Sequence, residues 1–288
     1  MSKRRKSWRP TLIKKEIVVS GNLLEFLEEP LNTTSREVAL RWRFLYDLSV
    51  AAANAGYALQ TFLPDVDREG IDVVLSDADE TRPIQLKATT KKVDQKFVID
   101  KIHCGALRPN HDIAEHIGFQ PGQSGTGQHG CIVLTEIFNV NVNDACLDVR
   151  YWITDAYILA ALSRSEGLVP GAPPEAQQDA LALIEVLQQG TNHDRVNVRG
   201  SCFIPAASPG ALLALAGFHS RVPSSAWQYN LAELMRFRTA EEDAQLEVPG
   251  FITAKEARKK WDNARGEQVK NAFIECVKWP EASGSGKS

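Results

Sequence analysis

The 288-residue sequence has no apolar run near the ~20 residues that a membrane-spanning helix needs, and no apolar segment follows its basic N-terminus. It also lacks any Cys-x-x-Cys pair. Its five cysteines are far apart and odd in number, which argues against a disulfide framework or a structural zinc site. These absences predict a cytoplasmic protein with free thiols, no secretory signal and no membrane partner.

Sequence motifs of several enzyme classes are also missing. No Gly-x-Ser-x-Gly or Gly-x-Gly-x-x-Gly stands between a predicted strand and a predicted helix, so neither a hydrolase nucleophile nor a dinucleotide site is indicated. His103, Cys104, His111 and His116 are close in sequence, but their spacing fits no common zinc module. Residues 281–288 lack the first glycine of a phosphate-binding loop and are interpreted as a disordered tail.

Charge is unevenly distributed along the chain. The formal net charge is only -3, so the overall balance does not indicate a polyanion-binding protein. Residues 1–20 are predicted to form a basic arm, since the first fifteen residues carry seven basic side chains and no acid. A second basic group lies near the C-terminus and comprises Lys255, Arg258, Lys259, Lys260, Arg265 and Lys270. Each group is either solvated charge or a contact to a phosphate backbone, and the sequence leaves both alternatives open.

Helix and strand patterns alternate along the chain, which predicts the α/β class, with a mixed central β-sheet flanked by helices and additional C-terminal helices. The predicted strands are 57–62, 71–75, 84–88, 131–138, 149–153 and 196–204. The predicted helices are 35–54, 155–163, 174–188, a short one from Ser208, 226–237 and 254–277. The expected organisation is one α/β domain over 21–220 and a helical extension over 221–280.

The helix predicted over 35–54 has apolar residues at helical spacing. These are Val38, Trp42, Leu45, Leu48 and Ala52, and they are expected to face the core. Most of the tryptophans, Trp42 included, stand in apolar periodic settings and are interpreted as core residues.

Residues 71–88 are predicted to form an antiparallel hairpin with two unlike faces, because strand side chains alternate. One face carries only apolar residues, namely Ile71, Val73, Leu75, Ile84 and Leu86. The other face carries Asp72, Val74, Gln85 and Lys87. A turn centred between Asp79 and Glu80 pairs Asp72 with Lys87, although the alternation of faces does not depend on this register.

The polar face of this hairpin offers the oxygen ligands that Mg²⁺ (or Mn²⁺) prefers. Asp72 supplies a charged oxygen, the Gln85 side chain a neutral one, and the backbone carbonyl of Leu86 a third. Lys87 cannot bind the metal, but it can hold or deprotonate a water, or neutralise charge on a phosphate. The set predicts a metal-assisted phosphodiester hydrolase. The alternative is an amphipathic hairpin with a solvated polar face.

Asp72, followed thirteen residues later by Gln85-x-Lys87, resembles the PD-(D/E)XK nuclease superfamily in a Gln-x-Lys form similar to that of restriction-like and phage-defence members. The Gly70-Ile71 lead-in and Glu37 in the preceding helix are also similar, and the resemblance covers about residues 33–90. It implies a restriction-endonuclease-like core and a Mg²⁺-dependent endonuclease that hydrolyses DNA in restriction or antiviral defence. It further implies catalytic roles for Glu37, Asp72, Gln85 and Lys87.

The sequence departs from the family pattern at Gln85, which replaces the usual acid. One charge is therefore missing from the metal site, although Asp65, Asp67 and Glu69 lie close by in sequence and could compensate. Two alternatives stay open: a catalytically weak or inactive nucleic-acid-binding module, and an interaction protein in which the hairpin is incidental. Because a double-strand cut needs two active sites, a homodimer is expected. Any activating partner protein is unknown from sequence, as is the choice between DNA and RNA.

Overall fold

A computed structural model describes residues 23–64, 70–94, 96–120, 122, 125–141, 146–219, 226–236 and 254–280. Within these ranges the chain is an α/β protein with a mixed sheet flanked by helices, which confirms the predicted fold class. The basic arm, the tail 281–288 and the three acids proposed to compensate for Gln85 lie outside the described residues.

The helices of the described ranges are α1 Leu23–Glu28, α2 Thr33–Asn54, α3 Cys104–Leu107, α4 His111–His116, α5 Ala156–Leu162, α6 Ala176–Gln189, α7 Pro209–Leu215, α8 Trp227–Met235 and α9 Ala254–Cys276. Two short 3-10 helices are Pro30–Asn32 and Gly200–Cys202. The strands are β1 Gln60–Phe62, β2 Val73–Ser76, β3 Thr81–Thr89, β4 Val98–His103, β5 Cys131–Asn141, β6 Cys146–Asp155, β7 Arg195–Arg199 and β8 Ile204–Pro205. None of the described helices combines the length and the apolar character that crossing a membrane requires.

The main sheet has six strands in the order β1-β2-β3-β5-β6-β8. Its neighbours are antiparallel except β3 and β5, which run parallel and therefore need a crossover connection. That connection contains β4, α3 and α4, and β4 pairs with β7 in a separate two-stranded sheet. The five predicted strands from 57–62 to 149–153 correspond to β1, β2, β3, β5 and β6, and their existence is confirmed.

The single strand predicted over 196–204 is wrong, because the chain turns in its middle. β7 belongs to the small sheet and β8 to the main sheet, where it pairs with β6. Gly200 lies at the break, and its N–H donates to the Phe97 carbonyl at 2.7 Å. A Cβ there would lie 2.1 Å from the carbonyl oxygen of Asp94, so only glycine allows the two backbones to approach this closely.

The predicted helix 35–54 is confirmed as α2, but its core-facing row is only partly as expected. Leu45, Leu48 and Ala52 are buried, as predicted. Trp42 is 56% exposed, and Leu40 and Phe44 are buried instead. The helix carries two apolar rows at helical spacing, and spacing alone does not decide which row meets the sheet.

The helices of the C-terminal extension share the main core with the sheet. Trp227 of α8 and Phe273 of α9 are fully buried, and their ring centroids are 4.8 Å apart. Trp227 also makes an edge contact with Tyr157 of α5. Residues 221–280 therefore contribute, through α8 and α9, to the hydrophobic core that supports the sheet.

Candidate active site

The β2–β3 hairpin has the two unlike faces that alternation predicts. Val73, Leu75 and Ile84 are buried in the main core, and Leu86 packs against it. Gln85 and Lys87 alternate with these residues on β3 and so lie on the opposite face. The apolar side fixes the hairpin on the core, and the predicted side-chain ligand Gln85 and Lys87 share the other side.

The predicted register of this hairpin is wrong by two positions. Val74 pairs with Pro83 rather than with Gln85, and the strands close at Ser76 opposite Thr81. The Asp77 carboxylate accepts hydrogen bonds from the N–H groups of Asp79 and Glu80, at 2.8 and 2.7 Å, and so tightens the turn. Because the shift is even, every side chain keeps its predicted face.

Asp72 lies directly before β2 and is held by β3. Its N–H donates to the Ile84 carbonyl at 2.9 Å, and its Oδ2 accepts from the Leu86 N–H at 2.7 Å. In an extended strand the N–H and carbonyl of one residue point to the same side, so the Leu86 carbonyl is also directed to the Asp72 side of β3. The structure thus brings the predicted carboxylate and the predicted backbone ligand together.

Gln85 is almost completely buried, with only 4% of its surface exposed. Its Oε1 accepts from the His103 N–H at 3.4 Å, a long hydrogen bond. Gly70 packs against both side chains: with φ of +72°, its Cβ would lie 2.3 Å from the His103 ring and 2.6 Å from Gln85 Nε2. The Gly-Ile lead before Asp72 therefore has a steric reason, since only glycine fits beside Gln85.

A cavity of about 460 Å³ opens beside the hairpin and is lined by Glu37, Asp72, Gln85, Leu86 and Lys87. We call it the hairpin cavity. All five predicted site residues thus meet at one place, although Glu37 is 35 residues from Asp72 in the sequence. Glu37 is exposed and lies in the second turn of α2, because the helix begins at Thr33. The favourable charge–dipole interaction of a first-turn acid therefore does not explain it.

Sequence reasoning missed several residues that line the same cavity. Thr34, Arg36 and Arg41 come from α2, and Thr135 comes from β5. The spacing of Glu37 and Arg41, one helical turn apart, is the signal that would have found Arg41. The cavity is consequently more basic than the hairpin alone indicates.

The described residues contain no group of three or more His, Cys, Asp or Glu side chains that could hold a metal ion. The predicted ligand set is of a different kind, with one carboxylate beside an amide and a backbone carbonyl. Of the four residues considered for zinc, Cys104 is buried and His111 is exposed on α4, where it lies 3.6 Å from Glu115.

The C-terminal basic group lies on α9, and three of its members make contacts with described residues. Arg258 lies 3.6 Å from Asp262, and Lys270 lies 3.2 Å from Glu267. The Arg265 guanidinium stacks over the Trp261 ring at 4.5 Å from its centroid. These contacts favour the interpretation of a solvated helix face over that of a row of phosphate contacts.

Comparison of the chain with models of protein families, with curated proteins and with solved structures gave no match. The functional assignment therefore depends on the residues and geometry of the hairpin cavity.

Proposed function

We propose that this protein is a Mg²⁺-dependent endodeoxyribonuclease with a PD-(D/E)XK-type, restriction-endonuclease-like core. The observation that carries the proposal is the hairpin cavity, in which Asp72, Gln85, Leu86 and Lys87 from the hairpin meet Glu37 from α2. A carboxylate, neutral oxygens and an ammonium in one open cavity are the groups that metal-assisted phosphodiester hydrolysis uses.

The residues of the cavity fit a hard divalent cation, although they carry less negative charge than is usual for such a site. Asp72, the Gln85 side chain and the Leu86 carbonyl are all oxygen donors, and the Leu86 N–H fixes the orientation of the Asp72 carboxylate. Gln85 is neutral, and its oxygen is already shared with the His103 N–H. These residues would therefore hold Mg²⁺ weakly. When bound, the ion would polarise a phosphoryl oxygen and acidify a water.

The remaining residues of the cavity have roles that follow from their charge and position. Lys87 lies two residues after Gln85 on the same face of β3, so its ammonium can neutralise charge that develops on a phosphate. Glu37 supplies a second carboxylate from the helix side of the cavity, where it can orient a water or accept its proton.

The proposal is tested by incubating supercoiled plasmid with the protein in Mg²⁺, in Mn²⁺ and in EDTA, and by repeating this with Asp72→Ala. Nicking or linearisation that needs the metal and disappears in Asp72→Ala supports the nuclease. Equal activity of both proteins would point to a contaminating enzyme and remove the support. Single-stranded DNA and RNA of matched sequence identify the preferred substrate.

The second candidate function is a nucleic-acid-binding module that has lost catalysis. The burial of Gln85 and its hydrogen bond to His103 favour it, since both reduce the access of a metal to the amide oxygen. Binding of DNA without cleavage in either metal would select this function. A role in restriction or antiviral defence, an activating partner and a homodimer also remain proposals, and sedimentation of the purified protein tests the last of them.

We expect Gln85→Glu to bind Mg²⁺ on the order of tenfold more tightly than the wild type, because it returns a carboxylate to the metal site. Cleavage need not rise with affinity, since tighter binding of the metal does not guarantee a better transition state. Calorimetric titration with MgCl₂ measures the affinity. Gln60→Glu adds the same charge on the exposed edge strand β1 and serves as the matched control. Equal affinities in the two variants would argue against Gln85 as a ligand.

We expect removal of residues 1–15 to weaken DNA binding more at low salt than at high salt. The segment carries seven basic residues and no acid, and the slope of log affinity against log salt falls by about 0.9 for every phosphate that the protein ceases to neutralise. Fluorescence anisotropy over a range of salt concentrations measures this slope. A chain in which the seven residues are replaced by glutamine controls for length. If truncation leaves the slope unchanged, the arm does not bind phosphates.

A further inference from the structure

Arg41 lies on α2 and lines the hairpin cavity without a partner among the described residues. Within the described ranges, its side chain makes no hydrogen bond and no ion pair, and its Nε is a buried atom that lacks an acceptor. Glu37, one turn earlier on the helix, lies in the same cavity but forms no ion pair with it in the described structure. A buried N–H without an acceptor costs free energy, so proteins seldom keep one unless something else satisfies it.

The other arginines of this part of α2 differ from Arg41. Arg36 donates from Nη1 to the Leu27 carbonyl, and Arg43 is held by the Asp47 carboxylate at 2.9 Å. Among the described residues that line the hairpin cavity, Arg41 is the one with a buried side-chain atom that lacks a hydrogen-bond partner. Arg41 thus lines the cavity of the proposed chemistry with a guanidinium that has no acceptor among the described residues.

Lys87 faces the same cavity in a similar condition. Its side chain has no hydrogen bond or ion pair with any described residue. Two cations that have no protein partner among the described residues therefore line one cavity, Arg41 on the helix and Lys87 on the strand. A guanidinium presents parallel N–H donors that match two oxygens of a phosphate, whereas an ammonium acts as a compact charge.

We propose that Arg41 is the phosphate-binding residue of the hairpin cavity and that it holds a nucleic-acid phosphodiester beside Lys87 without the help of a metal. This inference rests on the proposed function for its substrate class, but it concerns binding and not hydrolysis. Arg41 supplies the oxyanion contact that fixes the position of the phosphate, and Lys87 neutralises the charge that develops on it.

The test uses a fluorescent 20-base-pair DNA duplex, and each of its single strands, in EDTA, where no cleavage occurs. We expect Arg41→Ala to bind about 10- to 100-fold more weakly than the wild type, the effect expected for one charge-assisted hydrogen-bonded contact. The slope of log affinity against log salt should fall by about 1 in Arg41→Ala and be retained in Arg41→Lys. Arg41→Lys should still lose affinity, because lysine lacks the planar fork.

Arg195→Ala is the matched control, since this exposed arginine lies on β7, outside the hairpin cavity, and should bind as the wild type does. Melting temperatures should be unchanged or higher in Arg41→Ala, because the substitution removes an unsatisfied buried donor. Wild-type affinity and salt slope in Arg41→Ala would overturn the inference, as would a wild-type protein that binds none of the DNA probes. Binding that depends on Arg41 in a protein that does not cleave with Mg²⁺ or Mn²⁺ would support this inference and refute the nuclease.

Discussion

Replacing Lys87 by alanine is expected to slow plasmid cleavage by about 100- to 1000-fold, the usual effect of removing one preorganised electrostatic group from an active site. The ammonium lies on the polar face of β3, two residues after the proposed ligand Gln85, in the hairpin cavity. Its contribution should appear only when negative charge develops on the phosphate, so the chemical step should suffer more than substrate binding.

The fold should tolerate this substitution. Lys87 forms no hydrogen bond or ion pair with another described side chain, so its removal leaves no buried partner unsatisfied. The measurement is a plasmid-nicking time course at saturating Mg²⁺, combined with melting temperatures. Lys91→Ala is the matched control, because Lys91 is an exposed lysine just beyond the end of β3. If Lys87→Ala cuts as fast as Lys91→Ala, the lysine is not catalytic and the binding-module function becomes the better proposal.

Replacing Arg82 by methionine is expected to lower the free energy of unfolding by about 3–5 kcal/mol, the typical cost of removing one partner of a buried ion pair. Arg82 lies near the start of β3, at the end opposite to Lys87, and contacts the Asp155 carboxylate at the end of β6. Both side chains are 0% exposed. Without Arg82, Asp155 would be a buried charge with no counterion.

The surroundings of this pair explain why nothing nearby can replace the arginine. Burial raises the pKa of the Asp155 carboxyl, and the adjacent Arg82 guanidinium opposes that rise. His129 contacts Arg82, but burial, and then the neighbouring guanidinium, lower the pKa of His129 to about 2. The imidazole is therefore neutral at physiological pH in the wild type, and the burial that is the larger cause of its low pKa persists when Arg82 is replaced.

Urea unfolding at pH 7 measures the destabilisation, and Arg82→Met combined with Asp155→Asn is the matched control. Asparagine removes the charge but keeps an oxygen for the Ile158 N–H, which Asp155 caps at 2.7 Å. The double variant should recover a large part of the missing stability. In Arg82→Met alone, the Asp155 pKa stays above its unfolded value of about 3.9, so stability decreases as the pH rises from that value through the folded pKa. The loss of unfolding free energy caused by Arg82→Met should therefore be smaller at acid pH. An Arg82→Met variant that is as stable as the double variant at pH 7 would contradict the argument.

The hairpin shows which features of the structure the local sequence pattern can predict. Alternation over 71–88 correctly separates Val73, Leu75 and Ile84, which are buried, from the polar face of Gln85 and Lys87. It does not set the register, which depends on hydrogen bonds made by the Asp77 carboxylate inside the turn. A slip by two residues keeps both faces, so the sequence pattern is the same for either register.

Helix α2 shows a feature that the local sequence pattern does not predict. Its length and position are predictable from apolar spacing, but two apolar rows satisfy that spacing, and only packing on the sheet buries Leu40 and Phe44 and leaves Trp42 exposed. Apolar spacing does not predict the crossover strand β4. This strand pairs with β7, which lies almost a hundred residues later, and the pairing contains a register shift. Such pairings depend on contacts between distant segments rather than on nearby residues.

The sequence alone determined the fold class, the two faces of the hairpin and the set of Asp72, Gln85 and Lys87, because each depends on side chains within about twenty positions of one another. The tertiary structure decided that Glu37 and Arg41 reach the same cavity, that Gln85 is buried against His103, and that Arg41 has no partner among the described residues. These features arise where α2 and the hairpin line the same cavity. Their physical basis is the packing of a helix on a sheet, which brings together residues that no local spacing relates.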